Sequence, residues 1–202
     1  MLRLYLHNHD PHNRTKDFSM PDIEFVCANA KKYQIQLDFD DAWRIDENIF
    51  AMLRSSSVEM QINVVTSFSQ FKIFPHGYFS NNISEVDPRK HFFSFDDLAR
   101  LQKVYSIKIA FHSYQHQRAC ENSYRKLIDD YSYFKELCDF YKIEYENEIV
   151  LPYGRPPAVT DWFSYKRLPV RLIGTEVNYR YWLQRSLFNM STRVHVSNLC
   201  KS

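Results

Sequence analysis

Two short stretches hold the residue types that handle protons and metal ions. Asp38-Phe39-Asp40-Asp41-Ala42-Trp43 brings three carboxylates close together. Carboxylates at that spacing repel one another, and either a cation or solvent offsets the repulsion. The stretch is therefore either a site for chemistry or a solvated strand-to-helix loop. His112-Ser113-Tyr114-Gln115-His116 sets two imidazoles at i and i+4. Such a pair faces one metal ion if the segment turns helically; otherwise His112 is a strand-end histidine with a hydrogen-bond partner. In Leu151-Pro152-Tyr153-Gly154-Arg155-Pro156-Pro157, Pro152 stops a strand and Gly154 permits a sharp turn. That turn either aims a backbone N–H at a developing oxyanion or is an ordinary surface turn. Arg193-Val194-His195, near the end of the chain, reads by itself as a packed or surface histidine.

An internal control separates position from composition. The triplet Phe-Asp-Asp occurs twice, at 39–41 and at 95–97. The second copy follows Ser94, so a helix N-cap and the helix dipole account for Asp96 and Asp97. The first copy follows a strand and has no such explanation.

The elements that must position these residues alternate. Leu2, Leu4 and Leu6 mark a first strand, and Pro21-Asp22 opens a helix with Ile23, Val26, Cys27 and Ala30 on one stripe. Ile35–Phe39 is a strand, residues 46–53 a helix, and 58–65 a strand with Met60, Ile62 and Val64 on one face. An irregular, aromatic-rich insertion spans 68–92. Ser94 starts a helix bearing Leu98, Leu101 and Val104, and 107–111 is a strand ending at His112. The longest helix runs over about 120–141 at a 3.6-residue period. Short strands follow at 148–151, 170–173 and 193–196. This alternation predicts an α/β fold with a mostly parallel sheet, and about seven such units suggest a barrel. The polar clusters fall at the carboxyl ends of the strands, where barrels gather their chemistry.

Composition narrows the class. The 202 residues suit a single domain, 1–202, and 45% hydrophobic content with 16% aromatics is ample for a core. Lys and Arg number 26 against 24 Asp and Glu, too balanced for binding driven by phosphate neutralisation, so no nucleic-acid partner is expected. No apolar run reaches the ~20 residues of a membrane helix. With no signal-like N-terminus and four scattered cysteines, Cys27, Cys120, Cys138 and Cys200, the expectation is reduced thiols in a cytoplasmic protein.

Taken in order, Phe39-Asp40-Asp41, His112-Ser113-x-x-His116 and Pro152-Tyr153-Gly154, each at a strand end, resemble the polysaccharide deacetylases. This is the chitooligosaccharide-deacetylase homology domain of carbohydrate esterase family 4, and the resemblance covers about 20–196. It implies a distorted (β/α) barrel and one divalent metal ion, zinc first, with cobalt or nickel as alternatives. Asp41, His112 and His116 would be the ligands and Asp40 the general base. Ser113 would orient the metal-site loop, the backbone N–H of Tyr153 would serve the oxyanion, and His195 would protonate the leaving amine. The implied substrate is an N-acetylated (or O-acetylated) sugar or oligosaccharide. Trp43 is one of several aromatics that could stack on a sugar ring.

Three positions depart from the family pattern. Asp38 stands where threonine is usual and adds a carboxylate. Ala42 replaces glycine, a mild change unless the backbone there is left-handed. Val150 occupies the place of a motif arginine, so Arg155 or Arg193 would have to supply positive charge near Asp40. Two other readings compete. One is a non-catalytic carbohydrate-binding barrel. The other is a multi-metal phosphoesterase or amidohydrolase barrel using His7 and His9.

Overall fold

The computed structural model describes residues 1–6, 20–71, 88–116, 124–154, 171–175 and 191–195. Strand β1 (Leu2–Leu6) precedes helix α1 (Met20–Tyr33), followed by β2 (Ile35–Phe39), α2 (Glu47–Ser55), β3 (Glu59–Val64) and the single-turn α3 (Thr66–Ser69). Then come α4 (Pro88–His91), α5 (Phe95–Tyr105), β4 (Lys108–Phe111), α6 (Tyr124–Tyr141), β5 (Glu148–Val150), β6 (Arg171–Thr175) and β7 (Ser191–His195). The result is an α/β fold on a curled, parallel sheet. The strands pair in chain order, and β7 returns to β1 through Leu4–Val194 and Tyr5–His195.

The two faces of each strand have different fates. Leu4, Leu6, Leu37, Phe39, Ile62, Val64, Ile109, Phe111 and Ile149 point outward and join Ile23, Val26, Phe50, Leu53, Leu98, Leu101 and Phe134 of the helices in one apolar layer. Burial of this layer between helices and sheet is the main force holding the fold. Alternation sends the intervening residues to the inner face. There β1, β2, β3 and β5 contribute Arg3, Gln36, Asp38, Gln61, Asn63 and Glu148, all buried. Toward β6 the described inner face is apolar, with Ala110, Val150 and Ile173 packed together. A curled sheet covered by helices encloses both faces, so polar residues inside must satisfy one another.

The expected elements recur, with adjustments. Asp46 caps α2 through the Asn48 N–H, and Ser94 with Asp97 forms a capping box on α5. Both caps place the helix starts where the sequence predicts them. Part of the irregular insertion is helical, because α3 and α4 fall at its two ends, while 72–87 lie outside the described residues. Val104 is 44% exposed, so the stripe of α5 ends at Leu101. No described helix is long and apolar enough to cross a membrane.

Candidate metal centre

β2 runs directly into a single 3-10 turn at Asp40–Ala42, and the turn is unusual. Asp41 has φ 66° and ψ 2°, and Ala42 has φ 57°. Aspartate tolerates the left-handed region, whereas alanine occupies it at a cost. The chain beyond the turn is pinned from outside. The Phe93 N–H donates to the Ala42 carbonyl, and the Arg44 N–H donates to that of His91. The turn therefore cannot relax without breaking these bonds.

The histidine segment is fastened to the neighbouring strand end. The His112 N–H donates to Val64 O, Thr66 N–H to Ser113 O, and Ser67 N–H to Tyr114 O. Ser113 thus holds the segment through its carbonyl. Its buried Oγ makes no hydrogen bond among the described residues. Ser113 and His116 also have positive φ, at 75° and 54°. Of the ten non-glycine residues with positive φ among the described residues, Asp41, Ala42, Ser113, His116 and Tyr153 fall at the site, and the other five lie elsewhere.

These two fastened turns bring Asp41, His112 and His116 together, all three buried. Asp41 Oδ1 lies 3.4 Å from His112 Nε2 and 3.3 Å from His116 Nε2. One donor atom from each of the three lies within 4.8 Å of the others. The protonation of His112 follows from its second nitrogen. Nδ1 sits 2.8 Å from the Val150 carbonyl, an acceptor, so Nδ1 carries the proton. In the neutral ring Nε2 then turns its lone pair toward Asp41, the arrangement seen when a backbone carbonyl orients a metal-ligating histidine.

The distances test the fit to a cation. Bonds of about 2.0–2.1 Å at tetrahedral angles put neighbouring ligand atoms about 3.3–3.4 Å apart. The two separations from Asp41 match that edge. One carboxylate and two imidazoles form a donor set suited to zinc and its first-row neighbours, and three protein ligands leave a position open.

Asp40 sits beside this set without joining it. Its Oδ2 is 3.9 Å from His112 Nε2, while its Oδ1 accepts a 2.8 Å hydrogen bond from Asn63 Nδ2. Asp38 turns the other way. It accepts from Arg3 Nε at 2.8 Å and from Gln36 Nε2 at 2.9 Å, so the extra carboxylate is neutralised inside the sheet. Burial disfavours the Arg3 charge, but the carboxylates of Asp38 and Glu148 outweigh burial and hold the guanidinium above its ordinary value.

Other expected residues have mixed outcomes. Tyr153 lies in a turn over Pro152–Gly154 with φ 58°, and its half-exposed ring packs 4.9 Å from that of His116. Trp43 is 7% exposed, so it presents no stacking face. Its ring lies 4.5 Å from Phe92 in a small cluster with Val65 and Phe68. The backbone of His195 pairs with Tyr5, which also pairs with Asp38, and Arg193 pairs with Thr175. Arg155, His7, His9, Cys120 and Cys200 lie outside the described residues. Asn63 was not among the expected site residues. Its signal was the outward stripe of Met60, Ile62 and Val64, which leaves Gln61 and Asn63 on the enclosed face.

No protein-family model matches the sequence, and no curated protein matches it significantly. Solved structures do. The Streptococcus pyogenes deacetylase PplD, solved in complex with acetate, aligns at TM-score 0.62 and 12% identity over 99% of this chain and 95% of that one. The polysaccharide deacetylase BC0361 of Bacillus cereus aligns at TM-score 0.64 and 11% identity, over 99% of this chain and 67% of that one. The BpsB deacetylase domain of Bordetella bronchiseptica aligns at TM-score 0.60 and 14% identity, over 96% and 94%. The resemblance first read from three short motifs thus holds across the architecture, and the chain has the polysaccharide deacetylase fold.

Proposed function

We propose that the chain is a metal-dependent hydrolase that removes an acetyl group from an N-acetylated (or O-acetylated) sugar or oligosaccharide. The observation that carries this reading is the convergence of Asp41, His112 and His116 at the carboxyl ends of β2 and β4, with Asp40 alongside. Held by these three residues, a divalent cation, zinc by preference, would supply a Lewis acid for an amide carbonyl and a lowered pKa for water.

The chain's own residues supply the rest. Asp41, His112 and His116 hold the cation. Asp40, buried and oriented by Asn63, takes a proton from the attacking water. The backbone N–H of Tyr153 donates to the oxygen on which charge develops. As the C–N bond breaks, His195 gives a proton to the departing amine. Water and amide become acetate and a free amino sugar. The half-exposed Tyr153 ring, beside that of His116, offers an aromatic face on which a sugar can stack. The return of β7 to β1 supports reading the sheet as a distorted barrel of about seven strands and residues 1–202 as one catalytic domain. Unbonded Cys27 and Cys138 fit a reducing, cytoplasmic compartment.

Acetate release from a panel of N-acetylated sugars, with and without chelator, tests the reading. One bound metal per chain and chelator-sensitive release are expected. A chain that binds no metal supports a carbohydrate-binding barrel instead, and two or three metals per chain a phosphoesterase.

A further inference from the structure

The inner face of the sheet holds a chain of hydrogen bonds with a direction. Arg3 forks onto Glu148, with Nη2 at 2.5 Å from Oε1 and Nη1 at 3.1 Å from Oε2, and its Nε reaches Asp38. Gln61 Nε2 donates to Glu148 Oε1 at 2.7 Å and to Asn63 Oδ1 at 2.7 Å. Gln36 Nε2 donates to Asp38 Oδ1 at 2.9 Å and to Gln61 Oε1 at 3.2 Å. Asn63 Nδ2 completes the chain on Asp40 Oδ1. All of these residues are buried.

Donor chemistry leaves one orientation for each amide. Ionised carboxylates only accept, so the Gln61 atom facing Glu148 must be nitrogen. The Gln36 nitrogen, aimed at Asp38, requires the Gln61 oxygen on its side, which gives the same answer independently. With the Gln61 nitrogen toward Asn63, the Asn63 oxygen must face it, and the Asn63 nitrogen must face Asp40. The relay from Arg3 through Glu148 and Gln61 thereby imposes on Asn63 the same orientation that the Asp40 carboxylate requires, nitrogen toward the acid beside the metal centre. No arginine is needed at position 150 for this.

Building on the deacetylase reading, we propose that Asn63 is the positioning residue for Asp40 and that the Glu148–Gln61 pair sets its polarity. A charge-conserving exchange tests it: the double variant Gln61→Glu with Glu148→Gln. The new carboxylate at 61 still accepts from Gln36 and from the amide at 148. It also draws the Asn63 nitrogen toward itself and turns the Asn63 oxygen on Asp40.

The expected result is a fall in kcat of about 100-fold, the scale of a misplaced catalytic group, with KM and zinc affinity by calorimetry near parental values. Asn63→Leu, similar in volume and without a donor, should fall equally. The second readout needs no metal. In the 15N-labelled metal-free chain, the Asn63 side-chain NH2 should exchange slowly with water, and Asp40→Ala should abolish that protection. Parental kcat in the exchange variant or in Asn63→Leu overturns the proposal, as does an unprotected Asn63 NH2 in the parent. If the parent binds zinc but releases no acetate, the deacetylase reading fails, and the NH2 measurement still decides the polarity of the relay.

Discussion

The same three residues, Phe-Asp-Asp, occur in two places in this molecule and do unlike work. At 95–97 they open α5. Ser94 Oγ accepts from the Asp97 N–H, Asp97 accepts from the Ser94 N–H in return, and Arg44 pairs with the same carboxylate at 2.5 Å. Asp96 is left in solvent. At 39–41 the triplet ends β2, and both acids are buried. Asp41 turns left-handed to meet His112 and His116, and Asp40 is held by Asn63. The phenylalanines behave alike, since Phe39 and Phe95 both pack into the main apolar layer. The aromatic anchors each triplet, and the preceding element decides what the acids do. A helix start offers them N–H groups, whereas a strand end beside another strand end offers them side chains from afar.

The comparison breaks most sharply on activity. Asp40→Asn should lower acetate release by about 10²–10⁴-fold, the range assigned to a general base, while zinc stays bound. Its counterpart Asp96→Asn should change release less than twofold. Equal effects in one kinetic assay would mean that Asp40 is no base. Metal affinity separates the second acids. Asp41→Asn keeps a side chain that accepts the left-handed backbone but removes the anionic ligand. Calorimetry should then show zinc affinity weaker by at least about 100-fold. Asp97→Asn should leave zinc affinity unaltered.

Much of this contrast was legible before any coordinates. Ser94 announced the cap at the second triplet. The strand Ile35–Phe39 without a capping residue announced that the first was different. The order of the motifs pointed to the partners of Asp41, which local pattern alone could not, because His112 and His116 reach it only when β2, β3 and β4 pair side by side. The interior remained hidden for a physical reason. Gln61 and Asn63 look like the solvent face of a half-exposed strand, and only closure of the sheet under its helices turns that face inward. The left-handed turn was only half legible: alanine itself carries no signature for positive φ, and only its place at a position where glycine is usual raised the question. The burial of Trp43 was not legible, because aromatic character does not distinguish a stacking platform from a ring packed on Phe92.

Stability should show the reverse of the metal result. Asp97→Asn is expected to cost about 1–2 kcal/mol at neutral pH, from the cap and a partly buried ion pair. The pH dependence has a definite sign. Burial alone would raise the Asp97 carboxyl, but the Ser94 hydrogen bonds and the Arg44 charge outweigh it and hold the group below its ordinary 3.8. A depressed folded-state value means that the unfolded chain takes up the proton first. The contribution is therefore complete above the ordinary carboxylate range and lost as pH falls through the lowered value. Urea unfolding of the parent and Asp97→Asn should differ at neutral pH and converge in acid. A gap that persists in strong acid would show that the charge of Asp97 is not its source.

The smallest expected effect concerns the backbone that each region strains. Ser106, ending α5, has φ 58° and is exposed, so Ser106→Gly should relieve left-handed strain and stabilise the chain by about 1 kcal/mol. Ala42 has nearly the same φ, 57°, yet its methyl is fully buried against the core. Ala42→Gly relieves a similar strain but gives up about 0.8 kcal/mol of methyl burial. The unfolded chain also gains freedom in both cases. The net change at 42 should therefore lie within about 1 kcal/mol of zero and below the gain at 106. Parallel melting of the two variants measures the order. If Ala42→Gly proves the more stabilising, the methyl contributes little, and alanine at the turn is a strain retained for the position of Asp41 rather than one offset by packing.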